Sequence, residues 1–94
     1  MNYKLIYTDS YNKRASKFLR KHPELLSQYK KILQLLELDP YHPSLRLHAL
    51  KGKLEGLFSI SINISYRITL EMIITEKEVI PVNVGHHNKV YYYG

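Results

Sequence analysis

The chain contains no cysteine and no tryptophan. Without a thiol it has no disulfide framework, no thiolate zinc site and no cysteine nucleophile. No apolar run approaches the roughly 18 residues of a membrane span. The N-terminal stretch MNYKLIYTDSYNKR has neither an apolar h-region nor a small-residue cleavage site, so a cytoplasmic protein with no membrane partner is expected. The phosphate loop G-x-x-x-x-G-K-[ST], the elbow G-x-S-x-G and the zinc pair H-E-x-x-H are all missing. His86 and His87 are adjacent, with no carboxylate beside them, so neither a metal site nor a cofactor is expected. Acid is scarce as well: 8 Asp+Glu face 14 Lys+Arg, a formal charge of +6 on 94 residues. That length predicts one domain spanning residues 1–94.

The basic residues are concentrated in one half. Eleven Lys/Arg and four Asp/Glu lie in residues 1–53, against three and four in residues 54–94. A basic surface of this kind suits a polyanion such as nucleic acid, and it equally describes a solvated face that keeps the chain soluble.

Hydrophobic periodicity divides the chain near residue 44. Residues 3–7, YKLIY, read as a short strand, and Thr8, Asp9 and Ser10 are all candidate N-caps for the helix that follows. Tyr11, Ala15, Phe18, Leu19 and His22 recur at helical spacing, opposite a face of Lys and Arg. Pro23 stops this helix and is placed to open another, whose stripe is Leu25, Tyr29, Ile32, Leu33 and Leu36, ending near Asp39-Pro40. Beyond residue 45 the period is two. Every even position from Phe58 to Met72 is apolar, and a turn at Asn63-Ile64-Ser65 places Ile62 opposite Tyr66. A last strand, Val79–Val84, is expected to face the core through Ile80, Val82 and Val84, with Pro81 at an edge or a bulge. The predicted fold is α+β: an N-terminal strand, then a helical hairpin packed on one face of a mainly antiparallel sheet, in the order β-α-α-β-β-β.

Strand alternation then sorts the polar residues. Ser59, Ser61 and Arg67 fall on the side away from the helices, with Asn83 and His87. In LRLHALKG the residues Leu45, Leu47 and Ala49 are core-like, so Arg46 and His48 join that open face, with Lys51 and Lys53 at its margin. An antiparallel sheet can leave one polar face to water without any function, and Arg67 could pair with Glu71 or Glu55. Two His and two Arg without a compensating acid would also attract a phosphate. Histidine exchanges protons near neutrality, and a guanidinium can hold the phosphate, which suits metal-free phosphodiester cleavage. Tyr91 to Tyr93 could stack on a base or form a frayed tail.

Three ordered blocks carry a family resemblance: His48-Ala49-Leu50-Lys51-Gly52, Ser65-Tyr66-Arg67-Ile68 and Gly85-His86-His87-Asn88-Lys89-Val90-Tyr91. With the element order, they resemble the RelE/ParE superfamily, the toxins of type II toxin–antitoxin pairs, and are most similar to the RelE, YafQ and YoeB-like messenger-RNA interferases. The resemblance implies a metal-independent endoribonuclease that cleaves mRNA in the ribosomal (30S) A site, leaves a cyclic phosphate and arrests translation. By position, His48 matches a base or proton shuttle, Arg67 the phosphate-binding arginine, His87 the general acid and Tyr91 an aromatic that orients the substrate. Arg46, Lys51, Lys53 and Ser61 are expected to contact RNA. The implied partners are a cognate antitoxin, mRNA and the ribosome, the free toxin being monomeric and assembling through its antitoxin. Ser61 and Ser65 stand where YafQ-like members carry a further His and Asp, and Asn83 where an Arg is common. These departures leave open a ParE-like DNA gyrase inhibitor without nuclease activity, or an inactivated antitoxin-binding module.

Overall fold

A computed structural model describes residues 2–87. Strand β1 (Lys4–Leu5) leads into helix α1 (Asp9–Lys21). Of the three candidate caps, Thr8 is the one used: its backbone is extended and its Oγ1 accepts from the Tyr11 N–H at 3.1 Å. Asp9 in the first turn and Arg20 and Lys21 in the last complement the helix dipole. Pro23, which offers no N–H, opens a 3₁₀ turn, Pro23–Leu25, that delivers the chain to helix α2 (Leu26–Leu38). Asp39 closes α2 by donating its N–H to the Leu35 carbonyl, ahead of a buried Pro40. The apolar stripes do what their spacing requires. Tyr11, Ala15 and Phe18 from α1 and Tyr29, Ile32 and Leu36 from α2 are all buried.

The second half builds strands β2 (His48–Ala49), β3 (Phe58–Ser61), β4 (Tyr66–Ile73) and β5 (Glu78–His86). Together with β1 they form one sheet in the order β1-β5-β4-β3-β2, in which only the β1–β5 pair is parallel. The expected layers and element order are thus present, with β2 added as a two-residue edge strand. The β3–β4 register is the one that alternation demands. Ile60 pairs with Ile68 and Ser61 with Arg67, and the Ile62 N–H donates to the Tyr66 carbonyl at 2.8 Å. No glycine is needed at this turn, because Asn63 Oδ1 accepts from the N–H groups of both Ser65 and Tyr66 at 2.9 Å.

The even-numbered residues of β3 and β4 meet the helices. Ile60, Ile62, Ile68 and Leu70 are buried there with Leu36, Leu45 and Val79. Each fully buried aliphatic side chain stabilises the fold by about 1.5–3 kcal/mol. Within this core the Tyr11 and Tyr29 hydroxyls share a buried hydrogen bond of 2.8 Å. Burial, followed by the neighbouring Tyr29, holds the Tyr11 hydroxyl far above its ordinary titration range, and burial also raises that of Tyr29.

Strand β5 corrects part of the expected core. Thr69 pairs with Asn83 but Leu70 pairs with Pro81, which leaves Val82 as the extra residue of a β-bulge. The bulge resets the alternation. Val79 and Pro81 are buried before it and Val84 after it, whereas Ile80 and Val82 are only half-buried. Proline has no N–H for the ladder, so the irregular pairing falls beside Pro81, as its chemistry requires. Ala49 is a second correction: it pairs with Phe58 on the edge strand and is exposed, not buried. Among the described residues no helix is long and apolar enough to cross a membrane.

Candidate phosphate-binding face

Paired residues of an antiparallel sheet point to the same side, so the register fixes which side chains are neighbours. One row across the sheet reads Ser61, Arg67, Gly85, and the next reads His48, Ser59, Thr69, Asn83. Just past the end of β5, the His87 N–H donates to the Ser65 carbonyl at 2.9 Å, and its ring Nδ1 lies 3.4 Å from the same oxygen. His48 and Arg67 therefore occupy one face, their Cα atoms roughly 12 Å apart by strand spacing and rise. His87 departs from the expected face: it lies past the end of β5, and its ring centroid is 4.5 Å from that of His86, on the Tyr66 side of the sheet.

This face is not the open polar surface that alternation implies. Ser59, Ser61 and Thr69 are buried, and Arg67 is half-buried. Nor is Arg67 neutralised: among the described residues no ion pair joins it to Glu71 or Glu55. Its Nη1 is buried and without a hydrogen-bond partner, and the same holds for Thr69 Oγ1. A buried donor left unpaired costs about 1–3 kcal/mol, and more when it belongs to a charged group. The two atoms lie on neighbouring rows of one face.

A cavity of about 390 Å³ opens beside Arg67. Arg46, Ser61 and Asn63 line it from the strand side, and Gln28 and Lys31 from α2. Arg46 follows the 3₁₀ turn Pro43–Leu45 with φ +53°, a left-handed conformation that a non-glycine residue adopts at a cost. That turn is capped by His42, whose Nδ1 accepts from the Ser44 N–H at 3.2 Å, and is pinned by fully buried Leu45. Ser61 Oγ donates to the Asn63 carbonyl at 2.7 Å and so tightens the hairpin end. Gln28 Nε2 donates to the Ile62 carbonyl at 3.3 Å, which ties α2 to the same end.

The structure thus brings Arg46, Ser61 and Arg67 to one cavity. His48 shares the face without lining that cavity, its Nδ1 3.1 Å from the Arg46 carbonyl, and His87 does not line the cavity and packs its ring on His86. Lys51 and Lys53 are exposed around the 3₁₀ turn Gly52–Leu54 and do not line it. Tyr91 lies outside the described residues. Sequence reasoning missed Gln28 and Lys31. The signal was their helical spacing with Leu35, which puts all three on one flank of α2. Among the described residues no three His, Asp or Glu side chains gather in a way that could hold a metal ion.

No family model and no curated protein matches the sequence. Solved structures do match by shape. YafQ from Escherichia coli strain BL21(DE3) superposes with a TM-score of 0.76, over 95% of this chain and 98% of its own, at 13% identity. The fold is that of the RelE/ParE-superfamily toxins. A conserved hypothetical protein from Helicobacter pylori matches 94% of this chain and 97% of its own, with a TM-score of 0.66 and 26% identity. YafQ within the Escherichia coli DinJ–YafQ toxin–antitoxin complex matches 97% of this chain and 99% of its own, with a TM-score of 0.75 and 15% identity. On this RelE/ParE frame the cavity beside Arg67 lies where β3, β4 and α2 converge on the hairpin turn at residues 63–65.

Proposed function

We propose that the chain is the toxin of a type II toxin–antitoxin pair and acts as a metal-independent endoribonuclease on mRNA held in the ribosomal A site. The observation that carries this reading is the buried, unpartnered Nη1 of Arg67 beside a cavity that Arg46 and Lys31 also line. A phosphodiester oxygen would meet that nitrogen, and the guanidinium would stabilise charge as it develops on the equatorial oxygens. His48 takes the proton of a ribose 2′-OH, whose oxygen forms the new bond to phosphorus. His87 gives a proton to the 5′-oxygen as its bond breaks, leaving a cyclic phosphate and a free 5′-hydroxyl. Loss of His87 is expected to slow cleavage by about 10²–10⁴.

The partner follows from charge. An acidic antitoxin segment that orders on the basic surface would cover this face and neutralise it. Induced expression followed by mapping of mRNA 5′ ends tests the function. Cuts at codon positions support the nuclease. Damaged DNA with intact mRNA would replace it with a gyrase inhibitor, and absence of any growth effect with an inert antitoxin-binding module.

A further inference from the structure

A second cleft, of about 730 Å³, lies between α1 and the end of β5. That volume is in the range of small-ligand sites. Its floor is aromatic. The ring centroids of His22 and Tyr66 are 4.8 Å apart, those of Phe18 and Tyr66 5.3 Å, and those of Tyr66 and His86 5.8 Å. Its wall is cationic: Arg14, Lys17 and Lys21 project from one side of α1 at helical spacing, and all are exposed. The fold fixes both parts. Arg14 donates to the Val82 carbonyl at 3.3 Å, at the bulged residue of β5, and His22 Nδ1 sits 3.6 Å from the Glu24 carboxylate.

Rings at the base of a cleft and cations along its rim match one ligand chemistry, a planar aromatic base joined to a phosphate. We propose that this cleft binds one unpaired nucleotide of RNA, its base against His22, Tyr66 and His86 and its phosphate on Lys17 and Lys21. The proposal rests on the reading of the Arg67 face as an RNA site, and it adds a second contact for the same strand. Tyr66 and Arg67 are consecutive on β4, so the cleft and the Arg67 side chain lie at the same end of that strand.

An NMR titration of the full chain carrying Arg67→Ala tests this apart from catalysis. AMP, UMP and inorganic phosphate are the probes, and the ring signals of His22, Tyr66 and His86 are read. The expected result is that both nucleotides move these signals and bind about tenfold tighter than phosphate, the worth of one stacked base. Lys17→Glu, on an exposed helix position that leaves the core untouched, should weaken AMP about tenfold, and His22→Ala should remove its advantage over phosphate. Equal binding of phosphate and AMP would overturn the proposal, as would unmoved ring signals in the Arg67→Ala chain when the native chain cleaves mRNA. AMP binding at these rings when the native chain cleaves no mRNA would overturn the nuclease reading and leave the cleft as a nucleotide site.

Discussion

On the helix side of β3 and β4, Ile60, Ile62, Ile68 and Leu70 are buried among apolar neighbours, and the polar pair in that core, Tyr11 and Tyr29, is joined by a hydrogen bond. On the other side the same two strands bury Ser59, Ser61 and Thr69 around a half-buried Arg67, and two buried polar atoms have no partner. One pair of strands thus carries a satisfied face and an unsatisfied one. The first is what folding alone would produce. The second costs stability, and under the function proposed above the phosphate of the RNA would recover part of it.

The largest effect on stability should come from the satisfied face. Ile68→Ala removes a fully buried side chain and should cost about 2–5 kcal/mol in urea unfolding. Next is the tyrosine pair. Tyr29→Phe leaves the Tyr11 hydroxyl buried without its partner, an expected loss of about 1–3 kcal/mol, whereas the double change Tyr11→Phe with Tyr29→Phe should recover most of it. The pair also sets an alkaline limit. A tyrosine whose folded pKa is raised binds its proton more tightly folded than unfolded. Its contribution is full below the unfolded value of 10.0 and is lost as pH rises above it. Melting temperature should therefore fall more steeply above pH 10.0 in the native chain than in the double phenylalanine variant. The smallest effect belongs to the unsatisfied face: Thr69→Val keeps the shape, removes an unpartnered oxygen, and should shift stability by less than about 1 kcal/mol, in the stabilising direction.

The same contrast explains what could be read from the sequence. Alternation from Phe58 to Met72 was sufficient for the hairpin register and for the choice of helix-facing residues, because a slip of one residue would expose Ile60, Ile62, Ile68 and Leu70 together. It also placed His48 and Arg67 on one face, but it misplaced His87, because the chain leaves the strand after His86 and the alternation stops there. The bulge at Val82 was legible only as a difficulty with Pro81, and its consequence, Val79 in the core in place of Ile80, depends on which way the register resets. Burial of Ser59 and Thr69 was not legible, since a period of two names a face without saying what packs over it. The cavity was half legible. Arg46, Ser61 and Arg67 come from the strand half, but Lys31 and Gln28 belong to a helix whose distance from the hairpin only tertiary packing sets.

The most direct test of this account is Arg67→Met, read twice. Methionine keeps an apolar stem in place of the arginine stem and discards the buried, unpartnered guanidinium. The account predicts cleavage on programmed ribosomes reduced by about 10²–10³, together with a melting temperature equal to or above that of the native chain. An active Arg67→Met variant, or an inactive one that melts well below the native chain, would show that Arg67 supports the fold and that this face is not held ready for a phosphate.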